Sequence, residues 1–124
     1  MMANILLVDD EASLVKVQSE FLCRVGHTVS TAANGKEAMA LVAHNDFDLV
    51  ITDLIMPEKE GLETIAELRR IAPKIKIIAM SGGTVMIGAK DSLSMAQMFG
   101  ASFTLAKPFS GETLVDAVTQ VLSQ

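Results

Sequence analysis

Three carboxylates and one lysine stand where chemistry can be done. Asp53 ends the apolar run Leu49-Val50-Ile51-Thr52, and Asp9-Asp10 end an earlier run, Ile5-Leu6-Leu7-Val8. A carboxylate at the carboxyl end of a buried strand points into the crevice where open α/β sheets bind ligands. Three of them meeting there would repel one another by about 1 kcal/mol per pair at 4 Å in water, and about 4 at an effective dielectric of 20. Such an arrangement asks for a divalent cation. Ser81 and Lys107 end two further apolar runs and complete the set.

Phosphorylating a carboxylate needs in-line approach by its oxygen, a cation to neutralise the transferring oxygens, and donors to hold them. Asp9 and Asp10 supply the hard oxygen ligands that Mg²⁺ prefers. Asp53 can be ligand and nucleophile together. Lys107 offers a point charge and Ser81 a neutral hydroxyl donor.

The elements that must position these residues follow from periodicity. Five short apolar runs, at 4–9, 28–32, 48–53, 75–81 and 102–107, alternate with five segments of helical spacing. That alternation predicts an α/β domain with a parallel sheet covered by helices on both faces. The first, third and fourth runs are near-continuous Ile, Leu and Val, as in strands buried on both faces, whereas Thr28-Val29-Ser30-Thr31 alternates like an edge strand. Right-handed crossovers make a doubly wound five-stranded sheet in the order 2-1-3-4-5 the economical topology.

The first helix is expected over 11–25, capped by Asp10, with Leu14, Val17, Phe21 and Val25 inward and Gly26 as a left-handed C-cap. Asn34-Gly35-Lys36-Glu37 has capping-box spacing and opens the second, with Ala38, Leu41 and Val42 inward. Leu62, Ile65, Leu68 and Ile71 mark the third, which stops before Pro73; Arg69-Arg70 reads as its solvated end. The fourth is expected at 89–99. Ser110 caps the fifth, carrying Leu114, Val118, Val121 and Leu122.

Composition narrows the function. With 124 residues the chain fits a single domain, and its 50% hydrophobic content suffices for a core. A net charge of -5 lacks the basic surface that a phosphate backbone requires, so no direct nucleic-acid contact is expected. No apolar run is long enough for membrane insertion, and the first residues lack the charged start of a signal peptide, so the chain reads as cytoplasmic. Cys23, the single cysteine, excludes a disulfide framework and reads as a core thiol. His27 and His44 lie in or near loops and read as neither zinc ligands nor a phosphohistidine. Gly83 to Lys90 superficially follows phosphate-loop spacing but places Ala89 at the lysine position and Asp91 at the hydroxyl position.

Leu7-Val8-Asp9-Asp10-Glu11, Asp53-Leu54-Ile55-Met56-Pro57, Met80-Ser81-Gly82 and Leu105-Ala106-Lys107-Pro108-Phe109, in this order, resemble the receiver domain of two-component response regulators. The resemblance covers residues 1–124 and implies a stand-alone flavodoxin-like receiver. It implies that Asp53 accepts phosphoryl from a sensor histidine kinase or phosphotransfer protein. Mg²⁺ would be held directly by Asp10, Asp53 and the backbone carbonyl of Ile55, with Asp9 acting mostly through water. Ser81 would turn toward the phosphoryl group, Lys107 would pair with it, and the Lys107–Pro108 bond would be cis. The output would be altered binding to a downstream protein, in a signalling module that catalyses only its own phosphotransfer and dephosphorylation.

Two features depart from the family pattern. Thr104 stands where receivers commonly carry a switching Tyr or Phe, and Phe103 points to the opposite face. The segment after Ser81 is long, with Gly82-Gly83 and Met86, Ile87, Met95, Met98 and Phe99. It reads either as a moving surface or as the inward side of the fourth helix. A phosphorylation-independent interaction module and an aspartyl-phosphate hydrolase acting on external substrates are the competing functions.

Overall fold

The computed structural model describes residues 2–54, 61–82 and 100–124. The described residues form, in chain order, β1 (Asn4–Val8), α1 (Ala12–Arg24), β2 (Thr28–Ala32), α2 (Gly35–His44), β3 (Leu49–Asp53), α3 (Gly61–Ile71), β4 (Lys76–Gly82), β5 (Phe103–Lys107) and α4 (Gly111–Leu122). The strands form one parallel sheet in the order β2-β1-β3-β4-β5. All five strands fall within a residue of their expected positions. The helix expected at 89–99, Met86, Ile87 and Ile55 lie outside the described residues.

Strand alternation sorts the side chains into two cores. Ile5, Leu7, Leu49, Ile51, Ile78, Met80 and Leu105 pack under α1 and α4, against Leu22, Leu114, Val118 and Val121. Leu6, Val8, Val50, Ile77 and Ala79 face the other way, against Ala38, Ile65 and Leu68 of α2 and α3. Burying both faces explains the unbroken apolar runs of β1, β3 and β4.

Three local expectations hold at atomic level. Gly26, with φ +103°, ends α1, and His27 N–H and Gly26 N–H reach back to Leu22 O at 3.2 Å and Cys23 O at 3.0 Å. These are the paired bonds of a Schellman stop. Asn34 accepts from Glu37 N–H at 2.9 Å while Glu37 accepts from Ala33 N–H at 3.0 Å, a capping box shifted by one residue. Ser110 accepts from Thr113 N–H at 3.1 Å at the start of α4.

Other expectations are corrected. The N-cap of α1 is Glu11, without a side-chain cap bond, and not Asp10. Its inward stripe is Gln18 and Leu22, flanked by half-buried Leu14, Val15 and Phe21, while Val17 and Val25 are 50% and 48% exposed. The stripe is rotated because α4 and the sheet both claim this side of the helix, a pairing that spacing alone does not specify. Cys23 lies on the outer side, so its thiol is exposed and outside the core. Ile71 is likewise 44% exposed.

Arg69 is not a solvated helix end. Its guanidinium donates to Gly100 O at 2.8 Å, Pro73 O at 3.1 Å, Ser102 Oγ at 3.2 Å and Ile75 O. Ser102 in turn exchanges backbone and side-chain bonds with Ile77. One planar fork therefore fastens the end of α3 to the starts of β4 and β5. Gly100, at φ +117°, lies so close that a Cβ would sit 2.8 Å from Arg69 Cγ. Conformation and space both require glycine there.

Candidate functional site

Asp9, Asp53 and Lys107 continue the alternation that buries Ile5 and Leu7, Leu49 and Ile51, and Phe103 and Leu105, so all three project on the α1/α4 side. They meet at the carboxyl edge of β1, β3 and β5. Lys107 Nζ donates to Asp9 Oδ2 at 2.9 Å and to Asp53 Oδ2 at 3.1 Å. The second oxygen of Asp9, Oδ1, accepts from Glu11 N–H at 3.0 Å, which orients the carboxylate as the chain enters α1.

Asp10 joins from the solvent side. One carboxylate oxygen from each of Asp9, Asp10 and Asp53 lies within 4.8 Å of the others. Asp9 and Asp53 are buried, at 2% and 6% exposure, and Asp10 is exposed. Lys107 compensates one charge of the three, leaving two negative charges on a partly desolvated edge. That deficit, the all-oxygen donor set and the open solvent side fit a small hard divalent cation such as Mg²⁺.

Burial by itself pushes the Lys107 ammonium down, yet the hydrogen bond to Asp9 and the charges of Asp53 and Asp9 outweigh it and hold the pKa above its ordinary value. The lysine is a fixed cation at neutral pH. Its proton is not in play.

Ser81 lies on the opposite side of the pleat. It follows Ile77 and Ala79 into the α2/α3 core, is fully buried, and its hydroxyl has no hydrogen-bond partner among the described residues. An unpaired buried hydroxyl is costly, so it marks a place where an acceptor would be welcome. The sequence put Ser81 at the correct edge, but the pleat separates it from Asp9 and Lys107. Thr104 is half-buried on the Ser81 side, where it pairs with Ala79, and Phe103 packs on the α1/α4 core as alternation requires. Pro108 is exposed and its bond to Lys107 is cis.

His27 is buried and its Nδ1 accepts from Ala3 N–H at 3.2 Å, a structural bond that loop proximity did not signal. A groove of about 990 Å³ opens at the far, amino end of the sheet, between Met2, Val42, Phe47, Ile71 and Lys76. It contains none of the clustered carboxylates.

The sequence matches the response regulator receiver domain over residues 5–119. It is 36% identical over 121 residues to the DNA-binding transcriptional regulator NtrC of Azospirillum brasilense, covering 98% of this chain and 24% of that protein. Among solved structures, NtrX from Brucella abortus superposes with TM-score 0.91 at 26% identity, covering 99% of this chain and 27% of that one. The chemotaxis protein CheY4 of Vibrio cholerae superposes with TM-score 0.86 at 31% identity, covering 98% and 99%. The chain belongs to the response regulator receiver family, whose members are signalling domains of two-component systems and not conventional enzymes. It spans about a quarter to a half of the curated relatives it matches. No described helix is long and apolar enough to cross a membrane.

Proposed function

We propose that this chain is a phosphoacceptor switch that takes a phosphoryl group on Asp53 from a phosphohistidine of a sensor kinase or phosphotransfer protein. The observation that carries this reading is the convergence of three carboxylates with Lys107 bonded to Asp9 and Asp53 at 2.9 and 3.1 Å. Asp53 uses a carboxylate oxygen to form the new P–O bond as the P–N bond of the donor breaks, its electron pair remaining on the imidazole nitrogen.

Asp9, Asp10 and Asp53 are the described residues that would hold Mg²⁺, with the Ile55 carbonyl as the further ligand the family resemblance implies. The cation supplies charge neutralisation for the transferring oxygens. Asp9 anchors one end of Lys107 throughout, so the ammonium need only exchange its Asp53 contact for a phosphoryl oxygen. The buried Ser81 hydroxyl supplies a donor from the other side of the strand.

Each of these charge-assisted bonds is worth about 1.5–3 kcal/mol. Moving a domain from 1:99 to 99:1 between two states takes about 5.5 kcal/mol. Ser81 and Lys107 must therefore both engage for a full switch, and Thr104 adds no aromatic side chain to the transition. Signal leaves the domain as a changed protein contact, in the cytoplasm and without direct binding of nucleic acid by this domain.

Incubation with acetyl phosphate, or with beryllofluoride and Mg²⁺, beside Asp53→Asn tests the reading by intact mass and NMR. An adduct in the wild type alone is the expected result. No adduct in the folded wild type points instead to a phosphorylation-independent interaction module, and sustained turnover of diverse phosphoesters to a hydrolase.

A further inference from the structure

Gly111 opens α4 four residues after Lys107, and its conformation does not demand glycine, since the positive-φ glycines among the described residues are Gly26 and Gly100. Alanine would be the better helix former. What opposes it is space: a Cβ on Gly111 would collide with three atoms of the Phe21 ring, so either the ring or α4 would have to move. The same ring lies under the Arg24 guanidinium, 5.6 Å from its centroid. Phe21 thus meets both a cation of its own helix and the backbone of α4.

We propose that Phe21 is a positioning residue for Lys107. Its ring, seated on Gly111, sets how closely α4 approaches α1 and so fixes the Lys107–Pro108–Phe109–Ser110 connection. That connection is short and tethered at both ends, because Phe109 packs on the core and Ser110 caps α4. The two helices joined by the ring lead away from the two sides of the ion pair: α1 begins just beyond Asp9 and Asp10, and α4 just beyond Lys107. Bonds of 2.9 and 3.1 Å leave little slack, so a small displacement of α4 lengthens them past useful geometry. The consequence for phosphoryl binding rests on the function proposed above, whereas the consequence for Lys107 in the free protein does not.

The test compares Gly111→Ala, Phe21→Leu and the two combined. Its first readout is the NMR signal of the Lys107 ε-methylene, assigned by its loss in Lys107→Ala and recorded without Mg²⁺ or phosphoryl donor. Gly111→Ala is expected to move that signal toward those of exposed lysines and to weaken beryllofluoride binding about tenfold, as for one lost charge-assisted bond. Adding Phe21→Leu, which makes room for the new methyl, is expected to restore both. An unmoved Lys107 signal in folded Gly111→Ala, or no restoration in a folded double variant, overturns the proposal.

If Gly111→Ala alone does not fold, Phe21→Leu alone must still shift the Lys107 signal, and an unmoved signal overturns the proposal equally. A general loss of stability would lower the melting temperature of the single variants without producing this size-for-size rescue. Wild-type protein that binds no beryllofluoride would sink the phosphoacceptor reading while leaving the Lys107 measurement decisive for Phe21.

Discussion

Cations sit at both ends of the sheet, and their partners separate a fastening from the candidate site. At the amino end, Arg69 donates to the carbonyls of Pro73, Ile75 and Gly100, and Lys76 Nζ to that of Val121 at 2.8 Å. Those acceptors are neutral and fixed by the backbone, so the bonds close the fold and have nothing to exchange with. At the carboxyl end Lys107 meets carboxylates that outnumber it. Such a cluster can take up another cation, and the lysine can give up one carboxylate for an incoming anion. Comparable side chains thus do different work according to the charge balance around them.

The difference can be broken at either end. The largest expected effect is Asp53→Asn, which removes the proposed nucleophile and should abolish phosphoryl uptake from acetyl phosphate altogether, as read by intact mass. Residual uptake at wild-type level would place the acceptor elsewhere.

At the opposite end, Arg69→Ala should lower unfolding free energy by about 1.5–3 kcal/mol, measured by urea titration. Mg²⁺ titration of the folded variant, followed by amide shifts of Asp9, Asp10 and Asp53, should match the wild type. A changed Mg²⁺ affinity would dissolve the division between the two ends.

Lys107→Ala tests the charge balance. Removing the ammonium leaves the carboxylates less compensated, so Mg²⁺ should bind about tenfold more tightly, ~1.4 kcal/mol, while Asp53 can still be modified. Binding to a downstream partner should no longer respond to that modification. Intact phosphate-enhanced binding would show that Lys107 does not read the phosphoryl group.

The smallest effect concerns His27 at the amino end. Burial lowers its pKa below the ordinary 6.5. As pH falls below that value, the unfolded chain takes up a proton that the folded protein resists. Stability is therefore complete above about 6.5 and declines as pH drops through the lowered folded value. His27→Gln should flatten this slope in denaturant midpoints measured across the range. An unchanged slope would assign the acid sensitivity to other groups.

The site was largely legible because it is made of strand ends. Asp9, Asp53 and Lys107 each follow a run whose period of two fixes both edge and face once the sheet order is known. Ser81 was placed at the correct edge, and the same period of two, which grouping residues by strand end leaves out, puts it on the other side of the pleat. Helix faces were harder to read. Val17 and Val25 share helical spacing with Leu14 and Phe21 yet stay exposed, because α4 docks on one flank of α1 and leaves the other open. Cys23 turned outward for the same reason. Arg69 was missed because a charged residue in a last turn normally meets solvent, and its carbonyl partners come from three separate places in the chain.

The sequence by itself determined the strands, their order, the caps at Gly26, Asn34 and Ser110 and the polar groups that end the strands, since these depend on local periodicity and residue type. Only the tertiary structure decided which groups touch. Distances of 2.9 and 3.1 Å from Lys107 to two carboxylates, the Arg69 clasp on Gly100 and Ser102 and the seating of Phe21 on Gly111 all join residues far apart in the chain. Such contacts are set by how whole elements pack, which no local pattern encodes.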